Sequence, residues 1–393
     1  MKKYSFVLVL LLAVNILYAQ NAYQSVLDQI ETNSTVLSSV TKQYDAMKAA
    51  NNARSFVENP ELEGAYKWGV GEAGNGMELN LVQEIEFPTV YSNKKKIRKI
   101  NNTIIDAELE MQHYEIMYQV QQLCLDLIYN KKMLDFYQQC LDNAENIADG
   151  FNKSLEAGEV NVLDYNKAQI NLMNCKTALS QTRIERKYIL GELKTLNGGK
   201  DISFTYEDYD NVVLPSDFGQ WYSTVQANNP SFVYLRLNNE ADKQNVKLCR
   251  SEWIPKFKVG YAYENEDGNS FNGVVVGLSL PFWHNKKTVQ QAKTQAEASE
   301  SMIINNNNSM YNSLFTLYQQ AVMLQENLQN ISYIVKQYDS QELLKKSFDA
   351  GEMSLVEYLL EVEYYQNAMK EYFATEYDYQ KTMINLKSHL FNF

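Results

Sequence analysis

Proline is scarce in this chain, with six residues in 393, and glycine is held to sixteen. At 45% hydrophobic content, these shortages exclude a disordered polymer and point to long, unbroken helices. Histidine is scarcer still. His113, His284 and His389 fall in a helical stretch, at a strand-helix joint and near the terminus, so no metal-ligand spacing arises and no cofactor is expected. No Ser/His/Asp order, phosphate-binding glycine loop or nucleotide fingerprint occurs, which argues against an enzyme. Positive charge is also in deficit, 36 Lys and Arg against 48 Asp and Glu, which argues against a nucleic-acid partner.

Long apolar runs are absent beyond the N-terminus. Met1-Lys2-Lys3, the run Phe6 to Leu17 and Tyr18-Ala19-Gln20 have the order of a secretory signal peptide over residues 1–19, cleaved after Ala19. Alanine stands where a lipoprotein would need cysteine, so no lipid anchor is expected there. Since no other apolar stretch approaches twenty residues, any membrane crossing must be made by strands. Cys124, Cys140, Cys175 and Cys249 lie in helical pattern and do not make a disulfide framework. Antiparallel helices turning near Gly158 would bring Cys140 and Cys175 to about the same height, which leaves a bridge open beside the default of buried, unpaired thiols.

What the chain does have is a duplication. Lys153-Ser154-Leu155-Glu156-Ala157-Gly158-Glu159-Val160-Asn161-Val162-Leu163-Asp164-Tyr165 returns as Lys346-Ser347-Phe348-Asp349-Ala350-Gly351-Glu352-Met353-Ser354-Leu355-Val356-Glu357-Tyr358. The same interval relates Phe87-Pro88 to Leu280-Pro281-Phe282, and with a one-residue slip Asn93-Lys94-Lys95 to Asn285-Lys286-Lys287. The repeats are expected over 20–197 and 216–390, joined by a Gly-, Asp- and Tyr-rich segment at 198–215.

Each repeat contains two runs of period-two alternation, in hairpins expected over 61–88 and 256–282. Leu62, Gly64, Tyr66, Trp68 and Val70 alternate with polar or small residues, as do Met77, Leu79, Leu81, Ile85 and Phe87. Phe257, Val259, Tyr261 and Tyr263, then Val274, Val276, Leu278 and Leu280, repeat the pattern. One apolar and one charged face describe a strand between two media, at the length and aromatic dressing of a membrane barrel strand. An ordinary half-buried sheet under a helix would show the same alternation. Turn residues at 71–76 and 265–270 close the hairpins.

Helices follow over 92–157 and 286–350, returning over 161–197 and 354–388, with a first helix near 23–56 and another near 216–250. Some 65 residues of helix reach about 100 Å, far beyond a globular core. Asn161 and Ser354 are N-cap candidates after the glycines that end the preceding helices. The closing Phe391-Asn392-Phe393 follows a helix and is expected to fray. A hairpin in lipid leaves unpaired backbone at its edges, and four strands cannot close a barrel alone, so several copies must share one.

On the two Ala-Gly-Glu-x-x-x-x-(Asp/Glu)-Tyr turns, the order of hairpin, proline and long helix in each half, and Leu196-Asn197-Gly198, the chain resembles the TolC-like outer-membrane efflux protein family over about residues 22–390. The resemblance implies a mixed α and β membrane protein. Antiparallel helical hairpins would form a trimeric α-barrel, and four strands per protomer would contribute to a shared twelve-stranded transmembrane β-barrel. It implies a homotrimeric exit duct in the outer membrane of a Gram-negative cell, in contact with its lipid and extending into the periplasm. The partners would be a periplasmic adaptor and, through it, an inner-membrane pump. By position, Ser154, Leu155, Ala157, Gly158, Glu159, Ser347, Phe348, Ala350, Gly351 and Glu352 would dock the adaptor. Family members narrow the tunnel with acidic residues near the start of the last helix. Glu357 matches the first, Leu360 departs from the second, and Glu361 lies on the same face, giving Glu357 and Glu361 as gate candidates. A periplasmic adaptor or a structural coiled-coil envelope protein would share the helices but not the four matched strands.

Overall fold

The computed structural model describes residues 23–54, 56–69, 74–266, 268–280, 285–337 and 341–391. The expected signal segment 1–19, residues 70–73 of the first hairpin, Pro281, Phe282, His284 and the last two residues lie outside this set. The elements run α1 (Gln24–Asn33), α2 (Thr35–Ala53), β1 (Glu61–Lys67), β2 (Gly76–Ile85), α3 (Pro88–Glu156), α4 (Val162–Leu196), α5 (Phe218–Asn228), α6 (Pro230–Ser251), β3 (Lys256–Glu266), β4 (Asn269–Ser279), α7 (Asn285–Gln337), α8 (Gln341–Asp349) and α9 (Leu355–Ser388). None of the described helices is long and apolar enough to cross a membrane.

Local chemistry breaks two helices that periodicity reads as continuous. The expected helix 23–56 divides at Ser34, whose extended backbone ends α1 while its hydroxyl accepts the Leu37 N–H at 3.3 Å and caps α2. The expected helix 216–250 divides at Asn229. Pro230 holds the preceding residue extended, and the Asn229 carbonyl oxygen accepts the Ser231 N–H at 2.9 Å. Proline acts the other way at α3, which starts at Pro88 and not Ser92, because a first-turn residue needs no N–H.

The chain divides into two compact units. One gathers the described parts of Met1–Ser39, His113–Val225 and Asn312–Phe393. Here α4 buries Ala168, Cys175, Leu179, Thr182, Ile189, Leu193 and Leu196, a spacing of sevens divided into fours and threes. That is a coiled-coil seam, and it leaves a second apolar stripe, Leu163, Ile170, Met173, Ile184 and Tyr188, exposed on the same helix. Pairs between α3 and α4 set their antiparallel register: Lys176 to Glu145 at 3.4 Å, and Arg183 to Gln138 at 3.2 Å. Cys140 and Cys175 are free thiols, and burial pushes the Cys140 thiol up to about 12. The irregular segment 200–217 is tied down through Lys132, which meets Glu376 at 2.9 Å and Asp208 at 3.4 Å and lies over the Tyr209 ring. Of the closing residues expected to fray, Phe391 packs its ring 4.1 Å from that of Tyr114, and Asn392 and Phe393 lie outside the described residues.

The other unit comprises Val40–Gln112 and Gln226–Tyr311. Its strands form one antiparallel sheet in the order β1-β2-β3-β4. The two hairpins are joined by β2 and β3, with Leu81 opposite Tyr261 and Ile85 opposite Phe257. One face carries the apolar set and is open to its surroundings: Leu62 is 72% exposed, Val274 76% and Val276 75%. On the other face Lys67 meets Glu78 at 2.9 Å and Glu264 at 3.1 Å, and Lys256 meets Glu84 at 2.7 Å. The outer edges of β1 and β4 have no strand partner among the described residues.

Candidate functional site

The helix before each return helix, α3 in the first repeat and the nine-residue α8 in the second, where 286–350 was expected as one helix, ends in the same backbone turn. In the first, the N–H groups of Ala157, Gly158 and Glu159 donate to the carbonyls of Lys153, Leu155 and Ser154 at 3.0, 3.0 and 2.8 Å. In the second, those of Ala350, Gly351 and Glu352 donate to Lys346, Phe348 and Ser347 at 3.0, 3.0 and 2.9 Å. The turn needs a left-handed residue, and Gly158 and Gly351 supply it at φ 77° and 72°. A Cβ at either glycine would meet nothing within 4 Å, so the demand for glycine is conformational and not steric.

The return helices begin with caps. Asn161 Oδ1 accepts the Asp164 N–H at 2.9 Å, and the Asp164 carboxylate takes Lys167 at 3.0 Å. Ser354 and Glu357 form a reciprocal capping box: Glu357 N donates to Ser354 Oγ, and Glu357 Oε2 accepts from Ser354 N at 2.8 Å. Those hydrogen bonds, first the backbone one from Ser354, hold the Glu357 carboxyl below the usual carboxylate range.

The structure places the ten candidate docking residues on these two turns, within one unit. Ala157, Gly158, Glu159, Ala350, Gly351 and Glu352 are exposed, whereas Ser154, Leu155, Ser347 and Phe348 are half-buried. Phe348 stacks on Tyr358 at 4.6 Å and faces Phe151 at 6.3 Å, with Ile147, Ala168 and Leu355 in the same cluster. The Asn143 amide donates to the Tyr358 hydroxyl at 3.0 Å. This aromatic bridge holds the two turns side by side. Sequence reading missed Phe151 and Asn143, although the recurring tyrosine of the motif pointed at one end of the bridge.

Of the gate candidates, Glu357, Leu360 and Glu361 all lie on an exposed face of α9, with Tyr364 one turn on. Glu357 is engaged by Ser354. Leu360 stands 47% exposed where the second family carboxylate would be. His113 lies 3.6 Å from Glu31, and no group of three His, Cys, Asp or Glu among the described residues could hold a metal.

A mostly helical chain with two matched hairpins in one four-stranded sheet is the plan of an outer-membrane channel, and solved structures carry the same plan. The outer membrane channel CmeC of Campylobacter jejuni superposes with a TM-score of 0.76 at 16% identity, covering 94% of this chain and 85% of that one. The open-state MtrE outer membrane channel of Neisseria gonorrhoeae gives 0.75 at 13% identity, over 95% and 89%. A membrane protein from Pseudomonas aeruginosa gives 0.77 at 12% identity, over 94% and 90%. No curated protein sequence matches this chain. Residues 221–390 match the family model described as outer membrane efflux protein. Residues 221–390 are thus similar to the outer membrane efflux proteins, and almost the whole chain has the fold of the TolC-like outer-membrane channels.

Proposed function

We propose that the protein is one of three copies forming a passive exit duct in the outer membrane, docked at its periplasmic end to an adaptor and so to an inner-membrane pump. The observation that carries this is the sheet. It has one exposed apolar face, one ion-paired face and two open edges. Lipid satisfies the first of these and offers nothing to the edges, so the sheet is complete only as part of a closed barrel. Four strands per copy make twelve from three copies. The second apolar stripe on α4 asks for a neighbouring helix in the same way.

The adaptor would meet the exposed backbone and carboxylates of the paired turns, at Ala157, Gly158 and Glu159 and at Ala350, Gly351 and Glu352. Ser154, Leu155, Ser347 and Phe348 would support them from below. Glu361, ringed in three copies, would set the charge at the narrowing, with Glu357 occupied in its cap and contributing less.

The purified full chain in detergent should run as a heat-modifiable trimer and conduct ions in a planar bilayer. A soluble single chain without detergent defeats the reading. Glu361→Gln should shift cation over anion selectivity, with a smaller shift for Glu357→Gln, and unchanged selectivity in both removes them from the gate.

A further inference from the structure

This acidic chain gathers positive charge at one end of its sheet. Several lysines of the sheet unit meet carboxylates: Lys67 and Lys256 on the charged face, Lys48 with Asp106, Lys243 with Glu300, and Lys94 with Glu86 at 2.5 Å. Lys95, Lys96 and Lys99 on the first turns of α3, and Lys286 and Lys287 at the start of α7, are exposed and have no carboxylate within 4 Å among the described residues. Lys95 and Lys287 hold corresponding places after β2 and β4, whereas Lys286 corresponds to Lys94.

Their direction follows from Lys94. Each helical residue turns by about 100°, so Lys95, Lys96 and Lys99 point about 100–160° away from Lys94. Lys94 reaches the charged face through Glu86, so the other three are turned away from that face. Near the start of α7 Ala292, Ala296 and Ser299 are buried; Lys287 lies more than about 100° round from all three, and Lys286 about 80° or more.

The apolar face stops at this same end. Register puts Ile85, Phe257 and Leu278 in one row, with the exposed aromatics Phe87 and Trp253 beyond it. Aromatic rings followed by lysines are the side chains that suit the boundary between acyl chains and headgroups, the lysine stems lying along apolar matter while the ammonium reaches phosphate. The opposite, hairpin end carries Glu264 and Glu266, and its Lys67 is already paired, so the asymmetry selects one leaflet.

We propose that Lys95, Lys96, Lys99, Lys286 and Lys287 bind the phosphates of anionic phospholipids in the periplasmic leaflet of the outer membrane. The inference rests on the reading that the sheet meets lipid. In nanodiscs of phosphatidylcholine with a minor share of phosphatidylglycerol, the wild-type full chain should retain phosphatidylglycerol selectively. Native mass spectrometry of the released protein reads that retention.

Replacing all five lysines by glutamine should remove the preference, by about fivefold for each lysine lost, and replacing them by arginine should keep it. Equal retention of the two lipids by wild type, or a preference unchanged in the glutamine variant, overturns the proposal. Should the fivefold variant not assemble, K95Q/K96Q and K286Q/K287Q are read separately. Planar-bilayer conductance keeps the two failures apart. A conducting protein without lipid preference defeats only the lysine assignment, whereas a soluble, non-conducting chain defeats the membrane reading itself.

Discussion

The two glycine turns have nearly superimposable hydrogen bonding and are held by different chemistry. In the first repeat Asn161 caps the return helix, and the acidic residue of the motif, Asp164, is neutralised by Lys167. In the second repeat Ser354 and Glu357 cap each other, and Leu360 stands where Lys167 stands in the first. The motif carboxylate therefore serves helix initiation in both. What distinguishes the second turn is what surrounds the cap: an uncancelled carboxylate at Glu361 and an aromatic stack on Phe348. A duplicated motif thus marks a shared backbone requirement, while departures between the copies mark where the copies have separate work.

The aromatic stack is where the turns should differ most. Phe348→Ala removes the bridge between Phe151 and Tyr358 and should lower stability by about 2–3 kcal/mol, toward the low end for phenylalanine because the ring is half-buried. Leu155→Ala, at the matching place in the first repeat, should cost less. Equal losses in thermal unfolding of the two variants would show that the stack holds nothing extra.

Next come the glycines. Gly158→Ala and Gly351→Ala should each cost about 1–2 kcal/mol, and by the same amount, since φ alone opposes them. Unequal denaturation midpoints would mean that one turn relaxes and the other does not.

Ser354→Ala and Asn161→Ala should each cost about 1 kcal/mol, seen as faster amide exchange in the first turns of α9 and α4. The smallest effect concerns pH. Because Glu357 titrates below its unfolded value, its capping contribution is complete above the ordinary carboxylate range and is lost as the pH falls through the depressed value. The protection factor of the Ser354 amide, which donates to that carboxylate, should therefore fall on acidification in wild type and not in Glu357→Gln. The same response in both would detach the cap from that carboxylate.

Much of the architecture was legible without coordinates. Alternation in Leu62, Gly64 and Tyr66 reveals a strand with two faces because neighbouring side chains point to opposite sides. Gly158 and Gly351 reveal turns because few other residues adopt a positive φ. Less legible were the breaks at Ser34 and Asn229, where a short polar side chain outcompetes a helix whose apolar period continues across it. The site was legible in position but not in role. The motif located both turns, and the Ser354-x-x-Glu357 spacing of a capping box could have been read locally, yet nothing local told that Phe348 turns inward.

By itself the sequence determined the order of elements, the face each strand turns to its medium and the places where long helices must reverse, since each rests on a few neighbouring residues. Only the tertiary structure decided that β2 pairs with β3 to make one sheet of two hairpins, and that Phe151, Phe348 and Tyr358 lock the two turns together. Those contacts join residues far apart in the chain, where burial and edge pairing choose among partners that no local pattern can rank.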